Sequence, residues 1–134
     1  MIATEVDIRR IGERVVALSN PDHVYLFGSY AKGTAHEGSD IDLLIVAPSA
    51  LPRPHRGKLV KAALRTFPYR FDLLFFTPQE LEDEMRDQYS FTSSIVVSGW
   101  LIYRKKEGVL PGDHIPSLYR PESFQWFSDA DIAR

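Results

Sequence analysis

Residues 28–46 read GSYAKGTAHEGSDIDLLIV, and this stretch decides the fold. It follows residues 23–27, a short β-prone run that predicts a strand ending at a glycine. Its last six residues, 41–46, are nearly continuous in apolar side chains and therefore predict a second strand in the centre of a sheet. The small and polar residues between the two strands leave room for a turn and at most a short helix.

On either side of this stretch the sequence predicts helices alternating with strands. Apolar residues at helical spacing predict a helix over residues 5–18 that stops at Asn20-Pro21. The remaining predicted elements are a loop at 48–54, helices at 57–67, 78–86 and 91–97, and strands at 69–76 and 100–103. Thr77 is the predicted N-cap of the helix at 78–86, because Glu80 follows three residues later. This order favours the α/β (or α+β) class.

Length and composition exclude several classes of protein. A chain of 134 residues with 44% hydrophobic residues can bury a core without a covalent staple. The absence of cysteine excludes a disulfide scaffold, a thiolate zinc site and a cysteine nucleophile. A net charge of −2 argues against a nucleic-acid partner. No apolar run is long enough for a membrane span or a signal peptide, so we expect a cytoplasmic protein without a membrane partner.

The composition changes after residue 106. Residues 107–134 contain five acidic residues, two basic residues and three prolines, and so carry a net charge of −3. Their aromatic content is nevertheless high for a disordered tail. We therefore expect a domain at residues 1–106 and an extended C-terminal arm at 107–134, with a last helix from Glu122. The arm either packs on its own domain or contacts a partner.

Asp40 and Asp42 lie two positions apart where the second strand begins. Because side chains alternate along a strand, both carboxylates should point to the same side while Ile41 enters the core. Converging carboxylates repel each other unless a cation lies between them, and Mg²⁺ prefers oxygen ligands. An isolated Asp-x-Asp more often marks two solvated acids, so the metal interpretation needs support from elsewhere in the chain.

Two further features supply that support. Gly28-Ser29 opens a tight turn after a strand, where glycine lets the backbone approach a phosphate and the serine hydroxyl can bind it. Asp72 is a lone acid inside the apolar third strand, where an ionised carboxylate is costly unless it is paired or bound to metal. With Asp40 and Asp42 it would complete a two-metal centre for phosphoryl transfer.

The combined pattern resembles a known superfamily. Gly28-Ser29, then residues 30–39, then Asp40-Ile41-Asp42 is similar to the signature of the DNA polymerase β-like nucleotidyltransferases. The fuller string, Gly-Ser-x-Ala-x-Gly ending in Ser-Asp-Ile-Asp-Leu, resembles the minimal nucleotidyltransferases (MNT proteins) over about residues 25–103. The resemblance implies a short mixed β-sheet flanked by helices, Mg²⁺ or Mn²⁺, and transfer of a nucleoside monophosphate, with ATP the expected donor.

The resemblance also implies roles for individual residues. Gly28 and Ser29 would hold the triphosphate, and Asp40 and Asp42 would ligate metal. Asp72 would ligate the catalytic metal and orient or deprotonate the attacking hydroxyl. Two weaker candidates for the nucleotide site are Lys32 and Ser39, for which a solvated lysine and a local backbone role stay open.

Two other groups of residues receive structural interpretations. Five basic residues have no acid among them and could face a partner or substrate, but a solvated helix face explains them better: Arg53, Arg56, Lys58, Lys61 and Arg65. Trp100 and Tyr103 are expected in the core rather than on a stacking surface.

The resemblance leads to three hypotheses of function. The first is an MNT antitoxin that transfers AMP to a HEPN ribonuclease toxin; residues 126–134 resemble the start of a HEPN helix, although an ordinary amphipathic helix explains them better. The second is a silent module that neutralises its partner by contact, against which three costly carboxylates argue. The third is a small-molecule adenylyltransferase, for which the chain leaves little room for a second domain. Homo-oligomerisation is left open.

Overall fold

A mixed four-stranded sheet lies at the centre of the computed structural model, which describes residues 2–105. Its strands are β1 (His23–Phe27), β2 (Ile41–Val46), β3 (Phe71–Phe76) and β4 (Trp100–Arg104). The helices are α1 (Glu5–Ser19), α2 (Gly28–Lys32), α3 (Lys58–Leu64), α4 (Pro78–Met85) and α5 (Phe91–Ser98), with a 3₁₀ turn at Arg53–His55. Between residues 2 and 105, no helix combines the length and apolarity that crossing a bilayer requires. The predicted C-terminal arm and its last helix lie outside the described residues.

The strand order in the sheet is β3-β2-β1-β4. β1 runs antiparallel to both of its neighbours, β2 and β4, whereas β2 and β3 are parallel. The short mixed sheet with flanking helices confirms the predicted fold class, and β2 is internal as its apolar sequence indicated. β3 lies at an edge of the sheet, which the equally apolar sequence of that strand did not indicate.

The two faces of the sheet are covered by different helices. On one face α1 and α3 cover a core that includes Leu26, Leu43 and Ile45. On the other, α4 and α5 cover a second core that includes Tyr25, Leu44 and Phe76. Successive strand residues alternate between these faces. Trp100 and Tyr103 are each 1% exposed, which confirms their predicted core positions.

Most element boundaries agree with the sequence, and α3 is the main exception. It ends at Leu64 instead of residue 67 and begins after Gly57. Gly57 has a φ of +76°, and a Cβ there would meet the Phe75 ring at 2.1 Å. The close approach to β3 therefore requires glycine, and it sets where the helix can start. α5 confirms the predicted helix at 91–97.

The expectation of a solvated basic face was wrong for Arg56. Its side chain is buried and donates hydrogen bonds to the Leu51 and Phe75 carbonyl oxygens and to the Glu80 carboxylate. The same Glu80 carboxylate accepts from the Thr77 amide at 2.8 Å, completing the predicted cap of α4. The Arg56 hydrogen bond, followed by the Thr77 amide, lowers the pKa of Glu80 to about 2. An ion pair across 24 residues thus ties the β2–α3 loop to α4.

Candidate active site

The candidate site begins where β1 turns directly into α2. Gly28 has a φ of +72°, a left-handed conformation that side chains other than glycine rarely adopt. A Cβ built on Gly28 would lie 2.0 Å from Oδ2 of Asp42. The turn therefore requires glycine for two separate reasons. It also brings the start of the predicted phosphate-binding turn into contact with one of the predicted metal ligands.

The first turn of α2 presents backbone donors at this position. Its N-cap residue, Phe27, has no side-chain oxygen to accept from the first amides of the helix. Ser29 stands in the same turn and is half-buried. A hydrogen bond from β4 fixes the position of this short helix, because Nε1 of Trp100 donates to the Ala31 carbonyl oxygen at 2.7 Å. α2 is thus a fixed element whose first amides and Ser29 hydroxyl are available to an anion.

Asp42 and Asp72 lie side by side in one row across the sheet. Asp42 is the register partner of Phe27 on β1 and of Asp72 on β3. Paired residues on neighbouring strands project from the same face, and Phe27 identifies this face as the one covered by α4 and α5. The next row along β2 contains Leu44, which is fully buried in the core under these helices. Asp42 and Asp72 thus stand at the boundary of an apolar core to which Phe27 belongs.

The electrostatics of this row are unfavourable for a carboxylate. The pKa of Asp42 is raised from 3.8 to about 6, first by burial and then by the negative charges of Asp72 and Asp40. Burial disfavours the charged form, and two nearby carboxylates disfavour it further. A divalent cation among these oxygens would reverse both effects, because it would replace lost hydration and neutralise the repulsion. Asp42 therefore has the properties of a metal ligand.

Asp40 has a different environment from its neighbour two residues away. Its side chain is exposed, and its Oδ1 lies 3.0 Å from Nε of Arg70, whose guanidinium also donates to the Gly38 carbonyl oxygen. No three acidic, histidine or cysteine side chains of residues 2–105 are arranged as a ready-made metal cage. The predicted trio consists of electrostatic neighbours that do not yet form a closed coordination shell.

The expectation that Asp72 is buried within an apolar strand was wrong. Asp72 is exposed, because β3 is an edge strand and the residue lies near its beginning. The high cost of an ionised carboxylate applies instead to Asp42, which lies on the internal strand. Asp72 nonetheless stands beside Asp42 in the register. Its role as a metal ligand stays a prediction that now depends on position and charge rather than on burial.

The two weaker candidates lie in different surroundings. Lys32 is exposed at the C-terminal end of α2, away from the first turn that would hold an anion. The Ser39 hydroxyl accepts from the His36 amide at 2.9 Å, while the Ser39 amide donates to the His36 carbonyl oxygen. These hydrogen bonds give Ser39 a local role in shaping the loop before Asp40. A direct contact of either residue with nucleotide stays a prediction.

Sequence reasoning missed Arg70, the cation that pairs with Asp40. The only signal was its place two residues before Asp72, which by strand alternation puts it near the same surface. The Arg70–Asp40 pair affects metal binding, because a metal at Asp40 would have to share this carboxylate with the guanidinium or displace the guanidinium.

A turn with free backbone donors in contact with adjacent carboxylates is an arrangement suited to the transfer of phosphate groups. Comparison of the sequence with protein families agrees. The model of the nucleotidyltransferase domain family matches residues 8–99, which contain every residue of the candidate site. The chain belongs to this nucleotidyltransferase domain family.

Curated relatives match over shorter segments. The chain is 46% identical over 52 residues to a protein of Methanocaldococcus jannaschii provisionally named a protein adenylyltransferase, covering 37% of this chain and 35% of that protein. It is 45% identical over 38 residues to protein adenylyltransferase MntA of Shewanella oneidensis, covering 28% of this chain and 27% of MntA. The matched segments thus span about a third of these relatives.

Solved structures share the fold at lower sequence identity. A crystal structure from Sulfolobus solfataricus, described as that of a nucleotidyltransferase, has a TM-score of 0.50 at 20% identity and covers 80% of this chain and 89% of that one. A toxin–antitoxin structure with AMP-PNP has a TM-score of 0.52 at 23% identity, covering 87% and 81%. At these identities the likeness is one of fold.

Proposed function

We propose that this protein transfers AMP from ATP to a hydroxyl group of a partner toxin and thereby acts as an MNT-type antitoxin. The observation that carries the proposal is the contact between Gly28 and Asp42, with Asp72 in the same row. Nucleotidyl transfer needs a phosphate-binding turn and metal-binding carboxylates within one nucleotide's reach, and this contact supports that arrangement.

In the proposed reaction, each residue acts through its position. The first amides of α2 and the Ser29 hydroxyl hold the triphosphate. Asp40, Asp42 and Asp72 are the oxygen ligands suited to Mg²⁺ or Mn²⁺, which supplies charge neutralisation at the phosphates when bound. Asp72 orients the acceptor hydroxyl and takes its proton. The hydroxyl oxygen forms a bond to the α-phosphorus, the bond from that phosphorus to the bridging oxygen breaks, and pyrophosphate leaves.

A protein acceptor is supported by the relatives. MntA of Shewanella oneidensis is named a protein adenylyltransferase, and the toxin–antitoxin structure with AMP-PNP shares this fold. The net charge of −2 argues against a long nucleic acid as acceptor. We infer a toxin of the HEPN ribonuclease class as partner, from the resemblance of residues 28–46 to MNT proteins.

The direct test uses intact-protein mass spectrometry. A candidate HEPN toxin is incubated with this protein, Mg²⁺ and ATP, and the toxin mass should rise by one AMP. Asp42→Asn should abolish the adduct, whereas Glu82→Gln, which changes an exposed acid on α4, should not. An unmodified toxin that is nevertheless inhibited equally by wild type and Asp42→Asn would overturn the catalytic proposal.

One observation favours a second candidate, a silent module that neutralises its partner by contact. The Arg70 guanidinium already pairs with Asp40, so one of the three carboxylates is balanced without metal. A module of this kind would inhibit a toxin without Mg²⁺ or ATP. Inhibition that requires both would exclude it.

The C-terminal arm is the proposed partner-binding segment. Residues 107–134 combine a net charge of −3 with several large apolar side chains, among them Ile115, Leu118, Tyr119, Phe124, Trp126, Phe127 and Ile132. Deletion of the arm should leave Mg²⁺-ATP binding intact and abolish association with the toxin. A truncated protein that unfolds, or that binds the toxin with unchanged affinity, would contradict this division of the chain.

A further inference from the structure

An exposed aromatic ring lies beside the candidate site without a role in the scheme above. Phe91, the first residue of α5, is 65% exposed. Its ring meets the ring of Phe27 edge to face, with centroids 6.0 Å apart and planes at 82°. Phe27 directly precedes Gly28 and is the register partner of Asp42. Phe91 therefore borders both the phosphate-binding turn and the row of carboxylates.

The beginning of α5 holds this ring in place. The Ser90 hydroxyl accepts from the Ser93 amide at 3.0 Å and caps the helix. The Ser93 hydroxyl, which is buried, donates to the Asp87 carbonyl oxygen at 2.7 Å. These bonds fix the backbone at Phe91 although most of its side chain faces solvent. Burial in the core does not explain the position of the ring, since most of its surface is exposed to water.

The row across the sheet separates two sides of the site. Phe27 and Asp72 flank Asp42 on neighbouring strands, and strands lie ~4.8 Å apart, so the two residues are about 10 Å apart across the row. The acceptor hydroxyl belongs on the side of Asp72. The side of β1 and α5 is then left for the remaining part of the donor nucleotide, and the surface offered there is aromatic.

We propose that Phe91 stacks against the nucleobase of the donor nucleotide. This inference rests on the proposed function, because it takes the triphosphate to lie at Gly28. Every base presents a π-face, so stacking alone discriminates weakly between bases. We therefore expect similar affinities for ATP and GTP, with Phe91 contributing to both.

Calorimetric titration of the full chain with Mg²⁺-ATP and with Mg²⁺-tripolyphosphate, which lacks a base, tests the inference. Phe91→Ala should weaken ATP binding about 5- to 150-fold, as expected for one base–aromatic stack, and leave tripolyphosphate binding unchanged. Phe91→Trp should retain ATP binding. Phe91→Leu, which keeps apolar volume against Phe27 but has no π-face, should weaken ATP binding as Phe91→Ala does. The control is Tyr89→Ala, at an 87% exposed aromatic two residues away, which should bind both ligands as wild type does.

The binding results that would contradict the stacking differ from those that would contradict the proposed function. Wild-type protein that binds neither ligand would refute the proposed function itself. Equal ATP affinity in wild type and Phe91→Ala would refute only the stacking, and loss of toxin binding in that variant would then identify Phe91 as a protein contact. Weaker binding of both ligands in Phe91→Ala would show that the ring only supports the Gly28 turn, and would also overturn the inference.

Discussion

Replacing Asp42 by asparagine should stabilise the protein when no metal is bound. Burial, and then the charges of Asp72 and Asp40, raise the pKa of Asp42 from 3.8 to about 6 in the folded protein. Because the folded pKa lies above the unfolded one, the protonated carboxyl is favoured by folding. This stability is fully present below pH ~4 and is lost as the pH rises through about 6. At pH 7.5 the ionised Asp42 therefore destabilises the folded protein, and the neutral amide of asparagine removes this destabilisation.

The size of the effect follows from the same shift. A rise of the pKa from 3.8 to about 6 corresponds to at most ~3 kcal/mol at neutral pH. Asp42 is partly exposed, and solvent screening reduces this to about 1–2 kcal/mol. For a domain of this size we expect a melting temperature higher by about 3–8 °C. At pH 4 the two proteins should melt together.

Thermal unfolding followed by circular dichroism, at pH 7.5 and pH 4 without metal, measures this difference. Glu82→Gln serves as the control, because it removes an exposed acid of α4 away from the row. Addition of Mg²⁺ and ATP should raise the melting temperature of wild type more than that of Asp42→Asn. An Asp42→Asn protein that melts at or below wild type at pH 7.5 without metal would refute the reasoning, since the carboxylate would then be satisfied as it stands.

Three more substitutions test other contacts. Gly28→Ala forces a Cβ into Asp42 at a φ of +72°, so Mg²⁺-ATP binding measured by calorimetry should fall by at least tenfold, about 1.4 kcal/mol. Arg56→Met should lower the free energy of unfolding in urea by about 2–3 kcal/mol at pH 7. Because the pKa of Glu80 is lowered to about 2, that deficit should shrink as the pH falls from 4.5 towards 2. Trp100→Phe removes the hydrogen bond that holds α2 and should cost about 1 kcal/mol, with weaker ATP binding; unchanged binding would show that α2 does not need it.

The local elements of this protein can be predicted from its sequence. The nearly continuous apolar run at residues 41–46 forms an internal strand, and Thr77 and Glu80 form the predicted cap of α4. Gly28 stands at the predicted turn. These features depend on contacts between residues close in the chain, where strand alternation, capping and the freedom of glycine operate. For the same reason, most of the candidate site could be predicted from the local sequence pattern of residues 28–46.

Only the tertiary structure decided how that pattern is completed. Asp72 is exposed because β3 is an edge strand, and its apolar sequence does not distinguish an edge from an interior position. The Arg56–Glu80 pair and the Phe27–Phe91 contact join residues that no spacing rule connects. They depend on which helix covers which face of the sheet. Strand order and helix placement result from the packing of the whole domain, because each apolar face must be covered by another element. Which element covers which face depends on all the helices and strands together.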